Sequence, residues 1–310
     1  PVLVLGAGAI GTAFAAAFRA AGTHVALADP SPEARAGAET AVARHFAAIR
    51  RAGLPVADRP GALTVTGDIG ADAPALVVEA GPERVETKAA IFETLLRATP
   101  AGTVLATASS AIPVSAIVPD AADQRRCLVA HPGNPPSLIR VIEIVPAPGT
   151  APDTLDRAEA LFAAAGFDPV TLGREVSAFV FNRLQSALLR EAYRLVEEGV
   201  VDVDGLDRLV RDGLGPRWAL SGPFETADLN TAGGIRGHAE RMGPAYAAIG
   251  AARGETHPHW SPELVDKVEA QRRALLPESA LPARRAWREG ALADLLAARR
   301  AILSRGEPAE

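Results

Sequence analysis

A chain of 310 residues with 48% hydrophobic content is long enough for two domains with proper cores. Its formal charge of −5, spread without long runs of one sign, removes any electrostatic case for nucleic acid or an anionic membrane as partner and points to a small molecule. The single cysteine, Cys127, permits neither an internal disulfide nor a Cys-based metal site, and no apolar run is long enough for a membrane span, so a cytoplasmic protein without a metal is expected.

The chain opens on an apolar strand, Val2–Leu5, that breaks into Gly6-Ala7-Gly8-Ala9-Ile10-Gly11 and continues as an Ala-rich helix. A G-x-G-x-x-G between strand and helix predicts a dinucleotide site: Gly6 makes the tight turn, Gly8 admits the pyrophosphate and Gly11 lets helix and strand approach. Ala9 and Ile10 bring the first free amides of the helix to the phosphates. A second strand, 24–28, ends in Asp29, near the spacing at which a carboxylate accepts from the adenosine ribose. The negative charge there, with Arg35 the nearest arginine, favours NAD over NADP.

Ser31-Pro32-Glu33 then predicts an N-cap, a first-turn proline and a first-turn acid, starting a helix that runs to about 51. Strands are expected at 63–66, 75–79 and 104–106, with a helix over 85–97. This alternation is that of a doubly wound parallel sheet. At 127–131 and 141–145 two apolar runs are separated by a Pro-rich loop too short for a crossover helix, so they are expected to pair as a hairpin. A helix over 153–165 and a strand at 169–172 complete the α/β part. From there the chain reads as helical, with segments at 180–198, 206–210, 261–275 and 281–299 and a loop around 213–223. The expected organisation is a Rossmann-type domain, 1–175, followed by an all-helical domain, 176–310, for substrate and dimerisation.

Oxidation of an alcohol needs a base for the hydroxyl proton, a group that orients the base, and polar groups around the oxygen. His131 is the candidate base, because it ends a strand where ligands approach such sheets and opens His131-Pro132-Gly133-Asn134-Pro135-Pro136. Glu143 is a lone carboxylate in an apolar strand, costly unless paired, and a hairpin would bring it to the His131 ring. Ser109 follows another strand end, and Asn182 interrupts an apolar helix start; both are candidates for holding the reacting oxygen. Turn or cap duty is the other reading of Ser109 and Ser110, and the preferred one for Ser110. Glu83 and Lys88 read as surface charges with a second role in cofactor contact.

These residues, taken together, resemble the 3-hydroxyacyl-CoA dehydrogenase superfamily. Its pattern appears here as Gly6 to Gly11, Val78-Glu79-Ala80 with Glu83 and Lys88, Thr107 to Ser110, His131 to Pro135, Glu143, and Phe179-Val180-Phe181-Asn182-Arg183. Within it, the stretch Gly213-Leu214-Gly215-Pro216-Arg217-Trp218-Ala219 through Gly222-Pro223-Phe224-Glu225-Thr226 is similar to the branch of lambda-crystallin and L-gulonate 3-dehydrogenase. The resemblance implies an NAD-dependent dehydrogenase acting on the 3-hydroxyl of a small free hydroxy acid, L-gulonate or similar, as a homodimer. It implies His131 as base, Glu143 as its orienting partner, and Ser109 and Asn182 at the oxygen. Arg217 is the expected carboxylate anchor, since a guanidinium can pair bidentately with an acid and a thioester offers no such charge. Two rival readings are an L-3-hydroxyacyl-CoA dehydrogenase and a non-catalytic, crystallin-like or NAD-sensing protein.

Overall fold

The computed structural model describes residues 1–70, 73–255 and 261–284, with helical positions at 287, 295, 298 and 301 beyond them. The chain forms two compact units, 1–190 and 191–310. The helical residues 179–197 begin in the first unit, where Phe179 is fully buried in the sheet core.

In the first unit the elements run β1 (Val2–Leu5), α1 (Ala9–Ala20), β2 (Val25–Ala28), α2 (Pro32–Arg51), β3 (Leu63–Thr66), β4 (Leu76–Glu79), α3 (Val85–Ala98), β5 (Val104–Thr107), the single turn α4 (Val114–Ile117), β6 (Cys127–Pro132), β7 (Val141–Pro146), α5 (Pro152–Ala164), β8 (Asp168–Thr171) and α6 (Phe179–Glu197). One eight-stranded sheet has the order β3-β2-β1-β4-β5-β6-β7-β8. All neighbours are parallel except β6 and β7, which form the expected antiparallel pair. The order reverses between β1 and β4, and a crevice opens outside the carboxyl ends of strands at such a point.

Two-residue alternation divides the strand side chains between the two faces. Val2 and Val4 join Phe14, Phe18, Phe162 and Phe167 on one, while Leu3, Leu5 and Val77 join Phe92, Leu95 and Phe179 on the other. The aromatic cluster of the first face has ring centroids 5.5–6.3 Å apart. Helix α2 begins as its sequence dictates, with the Ser31 side chain accepting from the Ala34 amide.

The second unit contains α7 (Val203–Arg208), α8 (Gly215–Trp218), α9 (Pro223–Asn230), α10 (Gly234–Ala252) and α11 (Pro262–Leu275). The loop expected around 213–223 is instead mostly helical. A wide π turn over Leu209–Leu214 absorbs Gly213, and Pro216 sits in the first turn of α8, where its missing N–H costs nothing. Helix α10 is not among the segments singled out from the sequence; Gly233 caps it, Gly234 opens it and Pro244 lies inside it. It forms because the two glycines take positive φ and the buried Asp228 carboxylate accepts from the Ile235 amide. Residues 281–284 are helical, and most of the rest of the helix expected to 299 lies outside the described residues. No described helix is long and apolar enough to cross a membrane.

Candidate active site

At the switch point the glycines of the first turn meet different surroundings. Gly6 has φ +102°, and a Cβ there would lie 2.6 Å from the Ala80 carbonyl oxygen of the neighbouring strand end. At Gly11 a Cβ would collide with the Gly6 carbonyl at 1.8 Å, so only glycine lets α1 approach β1. Gly8 differs from both: a Cβ would meet nothing within 4 Å. That open side is the space a pyrophosphate needs. The helical ladder of α1 starts with the Thr12 amide donating to Gly8, so the amides of Ala9, Ile10 and Gly11 are free for an anion.

Asp29 ends β2, and its carboxylate is pinned by the amides of Ala7 and Ser31, both at 2.8 Å. It lines a cavity of about 580 Å³ together with Gly6, Asp68, Ile69, Pro82 and Ile91. An apolar slot with a fixed carboxylate at its edge suits an adenosine with free ribose hydroxyls. Arg35 has Nη1 on the carbonyls of Asp29 and Pro30. NAD therefore fits the residues present: Gly6 to Gly11 would cradle the phosphates and Asp29 would take the ribose.

Beyond β4 lies a buried polar network. Glu79 is sealed from solvent, and its carboxylate accepts from Lys88 Nζ at 3.1 and 2.9 Å, from the Gly81 amide at 2.7 Å and from the Thr107 hydroxyl at 2.6 Å. Lys88 is thus not a surface charge: it is 1% exposed, with Glu83 3.5 Å away as a second anion. Its ammonium fixes the loop after β4 and is closed to direct cofactor contact in this conformation. Glu83 accepts from the Ser109 hydroxyl at 2.6 Å and from the amides of Ser110 and Ala111. Burial pushes the Glu83 carboxyl up, but the Ser109 hydroxyl, Lys88 and the two amides outweigh it and hold the group below its ordinary value.

Ser109 itself is fully buried, and its oxygen also accepts from the amides of Ala111 and Ile112. The turn duty expected of Ser110 is thus carried by Ser109. The exposed Ser110 instead accepts, at its carbonyl, from Asn182 Nδ2 at 2.8 Å. Asn182 lies in the first turn of α6 and does not cap it.

The hairpin sets His131 directly opposite Glu143. His131 Nδ1 and Glu143 Oε2 are 2.7 Å apart and both side chains are buried. The other oxygen of Glu143 accepts from the amides of Val180 and Phe181 at 2.8 and 3.0 Å, so the carboxylate sits at the positive end of α6. Ala178 and Phe179 reach that position in the left-handed region, φ 61° and 52°, which disfavours both residue types. Burial of Phe179 against the His131 ring, centroids 5.5 Å apart, holds the turn; Phe181 meets the same ring edge-on at 6.3 Å. An ionised Glu143 requires the proton on Nδ1, which leaves a lone pair on Nε2. Nε2 has no partner among the described residues and is not one of the sealed unpartnered atoms, so it faces the open side.

Arg217 lies in the second unit, on α8, half-buried and with no side-chain hydrogen bond or ion pair among the described residues. Several contributors escape sequence reasoning. Glu79 carries the signal that singled out Glu143, a carboxylate in an apolar strand. The amides of Val180 and Phe181 carry no side-chain signal. Nor does His45, whose Nδ1 lies 3.0 Å from the buried Ser137 hydroxyl and ties α2 to the loop after His131.

The sheet, phosphate turn and His–Glu pair define an NAD-dependent oxidoreductase acting on CH–OH groups. Residues 1–176 match the model of the 3-hydroxyacyl-CoA dehydrogenase NAD binding domain, and 179–275 that of the family's C-terminal domain. The chain belongs to the 3-hydroxyacyl-CoA dehydrogenase family. It is 36% identical over 300 residues to the lambda-crystallin homolog of Bos taurus, covering 94% of this chain and 93% of that one. Identity to the L-carnitine dehydrogenase of Streptomyces griseus is 39% over 253 residues, 80% and 75% of the two chains. Among solved structures it is similar to 5-formyl-3-hydroxy-2-methylpyridine 4-carboxylic acid 5-dehydrogenase, an NAD+ dependent dismutase, with TM-score 0.73, 27% identity and coverage of 93% and 98%.

Proposed function

We propose that this dehydrogenase oxidises the 3-hydroxyl of a small free hydroxy acid, L-gulonate or a near relative, to the 3-oxo acid. The observation that carries the chemistry is the His131–Glu143 pair, with one ring nitrogen fixed and the other open. His131 Nε2 accepts the hydroxyl proton. Glu143, held by two α6 amides, keeps the ring in the competent tautomer and stabilises the imidazolium that results. NAD, when bound, supplies the hydride acceptor. Asn182, one Nδ2 hydrogen of which is spent on the Ser110 carbonyl, donates its second to the reacting oxygen, while Ser109, whose hydroxyl is committed to Glu83, acts as a positioning residue for the strand-end loop.

The names of two similar proteins, L-carnitine dehydrogenase and a pyridine carboxylic acid dehydrogenase, support a free acid. The same reading includes a homodimer built through the helical unit, where Leu209 and Ile249 remain exposed. The test is the appearance of NADH absorbance with L-gulonate in one cuvette and L-3-hydroxybutyryl-CoA in another. Activity with the free acid alone is expected. Activity with the thioester alone would move the protein to the acyl-CoA branch.

A further inference from the structure

Strands β2 and β3 both end beside the adenosine slot. Their last rung is the Asp29 amide donating to the Thr66 carbonyl at 3.1 Å. Beyond it the chain continues as Asp29 and Pro30 on one side and as Gly67 and Asp68 on the other, and all four line the slot. Backbone past the last rung of a sheet has no ladder to hold it, so its position depends on whatever else bonds it.

Here that group is Arg35, half-buried in the first turn of α2. A cation at the start of a helix works against the helix dipole, so its place there calls for another partner. On one lip the partners are carbonyls: Arg35 Nη1 donates to Asp29 at 2.7 Å and to Pro30 at 3.0 Å. On the other lip the contact is packing. A Cβ built on Gly67 would lie 3.2 Å from Nη1, 3.4 Å from Cζ and 3.8 Å from Nη2 of the same guanidinium, whose face therefore rests on the glycine. Gly67 has no positive φ, so the backbone does not demand glycine there; the guanidinium does. Arg35 thus touches both lips without lining the slot, whose own charged residues are the carboxylates Asp29 and Asp68. The direction of the Asp29 carboxylate is in turn only as well fixed as the backbone that carries it.

We propose that Arg35 is a positioning residue for the adenosine ribose of NAD: bound to Asp29 and Pro30 and packed on Gly67, it holds the two lips at the separation the cofactor needs and so sets cofactor affinity. The proposal rests on the reading of Asp29 as the ribose carboxylate and adds a residue that acts through it.

Titration calorimetry of the full chain with ADP-ribose, which carries the adenosine half of NAD and cannot turn over, reads the effect directly. R35A should weaken ADP-ribose by about tenfold, the equivalent of one charge-assisted hydrogen bond. R35K can still bond the two carbonyls but has no flat face for Gly67, and should fall between R35A and the wild type. G67A should weaken binding a few-fold by displacing the guanidinium, and should lose that effect in the R35A background, where the added methyl meets no guanidinium. A general loss of stability would not produce this coupling. Circular dichroism melting identifies any variant that fails to fold, and R35K and G67A supply the answer where R35A does not fold. Unchanged ADP-ribose affinity in folded R35A, or in both R35K and G67A, overturns the proposal. So does a larger loss in R35A for 2′-phospho-ADP-ribose than for ADP-ribose, which would make Arg35 a direct phosphate contact. Asp29→Ala tests the underlying reading by itself: unchanged ADP-ribose affinity in D29A removes the ribose carboxylate, whereas weakened D29A beside unaffected R35A removes only the role of Arg35.

Discussion

Two acid–base pairs are buried in the same sheet unit, and they differ in what is left over. Glu79 and Lys88 are closed to solvent, and every oxygen of the carboxylate is taken: Lys88 reaches both, Gly81 one and Thr107 the other. Glu143 and His131 are nearly as buried, yet the ring keeps one nitrogen outside the network. A buried ion pair with all its valences spent holds structure, because breaking it exposes a charge to a low-dielectric interior. One that retains an open atom can move a proton at that atom, and the rest of the network sets the atom's direction and tautomer. The contrast separates structure from chemistry without reference to any ligand.

The largest effect expected from breaking that contrast is at the open pair. His131→Ala should lower turnover by about 10² to 10⁴, the usual worth of a general base, while NAD affinity measured by fluorescence titration stays within a few-fold. Near-normal turnover would remove His131 from the mechanism. Glu143→Gln keeps the volume but presents an amide N–H₂ either to Nδ1 or to the α6 amides. Turnover should fall by about 10² or more while the protein remains folded.

At the closed pair the outcome should be the reverse. Lys88→Met leaves Glu79 charged and buried and should cost about 3–5 kcal/mol of unfolding free energy, read from denaturant melts. Replacing both partners, E79L with K88M, should recover a substantial part of it. If K88M instead left stability unchanged and abolished cofactor binding, the distinction between the pairs would fail.

Smaller effects sharpen the boundary. Asn182→Ala removes the hydrogen bond to the Ser110 carbonyl, worth about 0.5–1.5 kcal/mol of stability. A loss of turnover well beyond tenfold in this variant would show that its second amide hydrogen also meets the reacting oxygen. Glu83 yields a pH signature. Its folded-state carboxyl titrates below the ordinary value, so its contribution is full above the unfolded value of about 4.3 and is lost as pH falls through the lower folded value. The gap in melting temperature between the wild type and Glu83→Gln should therefore be constant from about pH 6 to 8 and shrink below about pH 4.5. A gap that grew in acid would contradict the assignment.

Sequence alone determined the features that local pattern encodes. The phosphate turn at Gly6 to Gly11, the Ser31 cap, the eight strands and the antiparallel turn of β6 and β7 all follow from spacing and periodicity within a few residues. Pairing of His131 with Glu143 was legible too, because a carboxylate in an apolar strand demands a partner and a short loop leaves one place to find it. Tertiary structure alone decided where hydroxyls and charges are spent. Nothing near Lys88 signals that Glu79 will bury it, and nothing near Ser109 signals that Glu83, 26 residues earlier, takes its hydroxyl. Helix α10 and the turn before α8 likewise form against their local glycines and prolines, because Asp228 and packing override propensity. Burial and hydrogen-bond partners are set by segments distant in the chain, and a residue's own neighbours in sequence carry no record of them.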